Sequence, residues 1–423
     1  MLDMQKRLSN TFYAIISLPA TAMGFALSIQ ISALSWLLST KYGLDIHEIG
    51  IVWAAGPTAG ILGQVIIGLI SDKAWFWGGR RRPFVLIGGT LAALSVFLLP
   101  RIDEVASLLG VSNLLVVAVI VALTLDLSIN ISFNPTRSII ADVTPDGIPR
   151  TKGYTWMQTI SGFWGVMAYL IGAFIDNYAL ITVGVFIVFL FSVVPMFFVT
   201  EDRNLEVKAA EEAATVTEWG QLMRIYLAHG FSWLGVQSMF VYIIAFIQQH
   251  VVAPGPEAAA QSGHVISISF AVMNTVGFLL PALVLEPVAE RIGRVKTQML
   301  CIATMAVAYF LIAFSARTPV ALYMLMAVVG VGWSAVVSLP FAIMSEKVDR
   351  SRMGFFMGIF NLSVVLPQLL STGVGGILKN ASDSSILFLI CGGCLTISAI
   401  LWALVKEKTI HAVPQATLRA TSH

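Results

Sequence analysis

The chain has 423 residues, of which 57% are hydrophobic and 11% charged, whereas soluble domains carry roughly 25% charge. A net charge of +2 excludes a strong whole-molecule field and gives no reason to expect nucleic acid as a partner. Apolar runs recur from Phe12 to the region of Val405, which excludes a globular domain on a single anchor and makes the lipid bilayer the solvent for nearly the whole chain.

At about 20 apolar residues per crossing, the first half reads as spans near 11–40, 47–71, 84–101, 113–141, 153–176 and 180–200. The first run follows basic residues in MLDMQKRLSNTFYAI, but it is too long for a signal peptide and lacks a small-residue cleavage site, so it reads as a retained span. Residues 201–220, EDRNLEVKAAEEAATVTEWG, are charged and read as a linker. Six further spans follow near 221–250, 264–288, 297–316, 319–345, 354–379 and 384–406.

The expected fold class is therefore an all-α membrane protein, with twelve transmembrane helices in two six-helix halves. The domains would be 1–200, the cytoplasmic linker 201–220, 221–406, and a flexible cytoplasmic tail over 407–423. Lys and Arg divide about twenty to four between the two sides of this topology, with Lys41, Arg101, Arg317 and Lys379 on the poorer side. By the positive-inside rule both termini are then cytoplasmic.

The loop GLISDKAWFWGGRRRPF, 68–84, has an echo in VAERIGRVK, 288–296, and SIIADVTPDGIPRTKGYTW, 138–156, has one in AIMSEKVDRSRMGFFMG, 342–358. Paired loops of this kind indicate a duplicated six-span unit, the build of a carrier with its site between two halves. Arg80, Arg81 and Arg82 either set topology alone or pair with Asp72 and a helix end, with Asp142 nearby, as a conformational gate. The cysteines Cys301, Cys391 and Cys394 lie in apolar runs, so packing is expected of them rather than disulfide or metal chemistry. Neither H-E-x-x-H nor G-x-S-x-G occurs, and no enzyme is expected.

The fourth span, LTLDLSINISFNPTRSIIAD over 123–142, carries Asp126, Asn130, Asn134 and Arg137. At about 100° per residue these four project within about 80° of one another and make one polar stripe. An ionised carboxylate at the depth of Asp126 costs about 3 kcal/mol or more, a cost that protonation removes. Two readings are open: a carboxylate that alternates between charged and protonated, or a structural acid bonded to neighbouring helices. Arg137 is about 16 Å further along the helix, and either clamps a ligand or reaches the headgroups or a loop acid. Pro135 is placed to interrupt the helix ladder. The second half aligns Gly330 with Asp126 and Phe341 with Arg137. It offers uncharged candidates instead: Gln237, Asn274, Asn361 and Gln368, with Trp333 as a stacking surface.

Trp53, Gly56, Pro57, Gly60, Gln64, Gly68, Ser71 and Asp72, followed by Gly79, the three arginines, Pro83 and Phe84, resemble the signature of one known family. It is the sucrose transporter group of the glycoside-pentoside-hexuronide:cation symporters, within the major facilitator superfamily. Leu125-Asp126, Arg137 and Ile140-Ala141-Asp142 resemble its fourth span, and GIFNLSVVLPQ, 358–368, its eleventh. The resemblance implies that Asp126 couples protons and contacts sugar, and that Arg137 takes part in coupled binding. Residues 242–258, YIIAFIQQHVVAPGPEA, depart from the plant proteins, so the implied substrate is a disaccharide or glucoside such as sucrose or maltose.

The expected function is proton-coupled sugar symport by a monomer in a bacterial inner membrane, with no cofactor beyond the coupling proton. Asp126, Asn130, Arg137, Trp333, Asn361 and Gln368 are the expected sugar contacts. Sodium coupling, another neutral solute, or a receptor that does not transport are the alternatives.

Overall fold

The computed structural model describes residues 3–60, 67, 70, 74–144, 148–201, 218–345, 347 and 353–406, and the regular elements among them are helices. Eleven of these helices are long and apolar enough to cross a membrane. In chain order the first is Asn10–Thr40, the third Arg82–Leu109, the fourth Leu114–Val143, the fifth Ile148–Phe174 and the sixth Asn177–Phe197. The seventh is Trp219–Val251, followed by Ala258–Leu280, Arg294–Ser315, Pro319–Ser345, Ile359–Asn380 and Ile386–Ala403. The second span begins as Ile46–Trp53 and runs into residues outside those described.

Polar caps set several starts. Asn113 accepts a hydrogen bond from the Leu115 N–H at 3.0 Å, Asp176 one from the Ala179 N–H at 2.6 Å, and Asp45 forms a capping box with Glu48. The third span is longer than its apolar run. Pro100 lies in a short 3-10 turn over Leu99–Arg101, where its missing N–H costs little, and the amphipathic IDEVASLL carries the helix on to Gly110, which ends it at φ 66°. The eighth span starts six residues earlier than expected, because AAAQSG, 258–263, is made largely of strong helix formers. The fourth helix continues through Pro135, which supplies no N–H to the Ile131 carbonyl, so the ladder loses one bond without the helix breaking; nearby, the Thr136 hydroxyl donates to the Phe133 carbonyl at 2.8 Å.

Spans one to six pack on one another, as do seven to twelve. Close approach depends on small residues. A Cβ on Gly88 would lie 2.6 Å from the Ser128 carbonyl oxygen, so the third and fourth spans meet backbone to backbone. At the end of the bundle that carries the arginine loop, the Glu201 carboxylate accepts from the backbone N–H groups of Arg80, Arg81 and Arg82 at 2.8, 2.8 and 2.7 Å. This places an anion on the N-terminus of the third helix. Glu201→Gln leaves one acceptor and turns an amide donor onto those donors. A loss of about 1–2 kcal/mol is expected, read as a lower melting temperature in detergent; an unchanged melting curve would show the contact to be idle.

The halves meet along spans two and eleven, and along five and eight. The hydrogen bonds that join them among the described residues lie toward the end opposite the arginine loop. Ser32 Oγ and Ser267 Oγ are 2.9 Å apart, Ser35 Oγ donates to the Val241 carbonyl at 2.8 Å, and Trp36 Nε1 donates to the Ala259 carbonyl at 2.6 Å. Lys379 Nζ sits 2.7 Å from Asp45 Oδ2. The molecule is therefore closed at that far end. Nearer the arginine end, no hydrogen bond or ion pair among the described residues ties one half to the other.

Candidate functional site

Asp126 lies 12 residues from the far end of the fourth helix and 17 from its other end, and is 6% exposed. Its Oδ2 accepts from Gln30 Nε2 at 3.0 Å, and no cation pairs with it among the described residues. Gln30 opens a π-helical stretch, Gln30–Leu34, which widens the first helix beside the carboxylate and leads into the Ser32 and Ser35 closure. From the second span, Gly56 leaves the carboxylate its room: a Cβ there would be 3.1–3.2 Å from both oxygens and from Cγ. Gly56→Ala is expected to displace the carboxyl by a few tenths of an ångström. Gradient-driven uptake should fall by roughly tenfold while the melting temperature stays unchanged; unaltered uptake would separate Gly56 from the site.

Asn130 is adjacent on the same helix, and its Nδ2 donates to the Asp126 carbonyl at 2.8 Å. Arg137 is exposed, with Cζ 4.2 Å from the centroid of the Phe133 ring, and it meets no carboxylate among the described residues. Eleven residues at about 1.5 Å each place it about 16 Å along the helix from Asp126. Of the loop acids near it in sequence, Asp142 is engaged elsewhere: its Oδ2 is held by Arg80 Nη2 at 2.9 Å and Arg81 Nε at 3.3 Å. These bonds brace the first half internally. Arg82 donates to the Gly78 carbonyl at 3.4 Å, and Asp72 lies outside the described residues.

In the second half Trp333 Nε1 donates to Asn274 Oδ1 at 3.3 Å, and its ring stands edge-on to Trp233 and Phe240, with centroids at 5.9 and 5.3 Å. Gln368 Nε2 donates to Gln237 Oε1 at 3.2 Å. Asn361 is half-buried on the eleventh span, next to Phe360, whose ring stacks on His229 at 4.8 Å. His229 Nε2 accepts from Trp233 Nε1 at 3.0 Å. Both indole N–H groups are thus consumed within the protein, which fixes the rings and leaves them to act through their faces. No hydrogen bond among the described residues joins this set to Asp126.

Three contributors went unread in the sequence. Gln30 stands alone as an amide in ALSIQISALSW, 26–36, a visible signal. Trp233 was legible as an aromatic near mid-span, though nothing marked it off from packing. Glu201 reads as the first residue of a linker, and only folding brings it to the arginine loop.

The chain belongs to the Major Facilitator Superfamily, whose model matches residues 16–284 and 259–421. It is similar to the General alpha-glucoside permease of Schizosaccharomyces pombe, 28% identical over 174 residues, covering 37% of this chain and 31% of that protein. It is also similar to Sucrose transport protein SUC4 of Arabidopsis thaliana, 20% identical over 420 residues, covering 84% of this chain and 82% of that one. Among solved structures, the inward open conformation of the xylose transporter XylE from E. coli shares its fold at a TM-score of 0.71 and 16% identity, over 95% of this chain and 97% of that chain. The nucleoside transporter NupG does so at 0.70 and 15%, over 95% and 100%.

Proposed function

We propose that this protein is a secondary active carrier, not an enzyme, that imports a disaccharide or glucoside such as sucrose or maltose together with a proton. The observation that carries the reading is Asp126: a buried mid-span carboxylate that accepts from one neutral amide and has no ion pair to break among the described residues. Such a group takes up and releases a proton without dismantling its surroundings, as a coupling site must. A hard cation such as sodium asks for a shell of oxygens, and Asp126 instead receives an amide N–H. The similarity to an α-glucoside permease and to a sucrose transport protein supports a glycoside as cargo.

In this reading the arginine-rich end faces the cytoplasm of a bacterial inner membrane, with both termini there, and the described closure is the outer gate of a monomer. Sugar binds between Asp126, Asn130 and Arg137 on one side and Trp333, Asn361 and Gln368 on the other. The amides and the arginine supply hydrogen bonds while the tryptophan covers the apolar face of a pyranose. Asp72, Arg80, Arg81, Arg82 and Asp142 belong to the cytoplasmic gate. Counterflow and pH-driven uptake in proteoliposomes with labelled sucrose, maltose and monosaccharides test the reading, and replacing the proton gradient by a sodium gradient tests the ion. Exchange of none of these sugars would overturn the substrate class.

The outer ion pair has its own pH dependence. The Lys379 ammonium, hydrogen-bonded to Asp45, holds that carboxyl below its ordinary range. A lowered value means the pair contributes fully above about pH 4 and is lost only as pH falls through the lowered value. Spin labels across the far end should therefore report the same closed distances at pH 7 and pH 5. Opening already at pH 5 would exclude this pair as the controlling contact.

A further inference from the structure

A cavity of about 980 Å³ lies at the far end, apart from the Asp126 site, with walls from both halves. The first half contributes Trp36, Asp176, Asn177 and Tyr178, and the second contributes Gln261 and Tyr323. We infer that this outer vestibule is a second site for a neutral glycoside, and that a ligand bound there holds the carrier closed on the outside.

Lining chemistry selects the ligand class. Trp36 and Tyr178 stand edge to face, with centroids 5.4 Å apart, and the Trp36 N–H is spent on the Ala259 carbonyl, so these rings offer surface rather than donors. Gln261 and Asp176 supply an amide and a carboxylate for hydroxyl groups. Lys41 lines the same cavity but is paired with Asp103 at 3.2 Å, and Asp176 caps a helix by accepting from the Ala179 N–H, so both charges are already engaged and the wall offers hydrogen-bonding groups suited to a neutral polyol. Asn177 is 2% exposed, and its Nδ2 has no acceptor among the described residues although Oδ1 accepts from Ser267 Oγ at 3.2 Å. The volume falls in the range of roughly 300–1,000 Å³ common to small-molecule sites.

The consequence follows from where the walls come from. Opening the carrier outward separates the two halves at this end, and with them the two sides of the vestibule. A ligand that touches both sides binds the outwardly closed form better, and so shifts the population toward it. This step rests on the alternating-access reading above; the binding itself does not.

The test uses sucrose and maltose as probes, with the full-length protein and two variants. Ala260→Trp fills the cavity from an exposed position, and Tyr323→Ala removes an aromatic wall should the first variant fail to fold. Calorimetric titration of the solubilised protein should show two sugar sites in the wild type and one in either variant. Initial uptake by the wild type should rise and then fall about fivefold as external sugar reaches high millimolar excess, and in the variants it should rise to a plateau. One site in all three proteins, with superimposable uptake curves, would overturn the inference. If no sugar is carried yet the wild type binds one that Ala260→Trp abolishes, the vestibule site stands and the transport reading falls.

Discussion

Asp126→Asn is expected to abolish concentrative uptake while leaving sugar exchange intact. The asparagine keeps an oxygen for Gln30 Nε2, now 3.0 Å from Asp126 Oδ2, and occupies the same volume beside Gly56, so the fold has no reason to change. What it loses is the proton site. One unit of pH gradient is worth 1.36 kcal/mol per proton, about a tenfold accumulation ratio; the variant should equilibrate at a ratio of about one under the same gradient. Counterflow moves labelled against unlabelled sugar without net proton movement and should persist. Accumulation by Asp126→Asn equal to that of the wild type would remove Asp126 from the coupling role, and loss of counterflow as well would make it foremost a sugar ligand.

The second large effect concerns the outer closure. Ser32 and Ser267 belong to opposite halves, their oxygens are 2.9 Å apart, and both are almost fully buried. Cysteines at both positions, in a background where Cys301, Cys391 and Cys394 are replaced by serine or alanine, should cross-link under mild oxidation. The lock then sits just outside Gln30 and Asp126 and prevents the halves from parting there. Uptake should fall by more than about tenfold, the range expected when a conformational equilibrium is shifted by several kcal/mol, and return with reductant. Undiminished uptake by the fully cross-linked protein would mean that the far end does not open during the cycle.

These two tests also separate what was legible from what was not. The fourth span announced itself: an acid, two amides and an arginine on one face of an apolar helix have a cost in lipid that needs no partner to calculate. The paired loops and the linker gave the two-half organisation as an expectation, since each feature is local. Two local readings turned on neighbours that a single helix does not reveal. The helix continues through Pro135 although its ladder lacks that N–H, and of the loop acids open to Arg137, Asp142 is held by Arg80 and Arg81 instead. Glu201 could not be foreseen at the arginine loop, about 120 residues away in sequence, by any periodicity.

From sequence alone came the membrane solvent, the helical class, the number of crossings and the suspicion attached to Asp126. All follow from hydropathy and charge, which act residue by residue and need no knowledge of what packs against what. Tertiary structure alone decided that Gln30 and the space over Gly56 form the carboxylate's surroundings, that Trp233 and Trp333 are held with their N–H groups spent, and that the far end is the closed one. Each of these depends on which helices meet and at what depth. A mean apolar pattern leaves that register open, and close packing with satisfied hydrogen bonds in lipid fixes it.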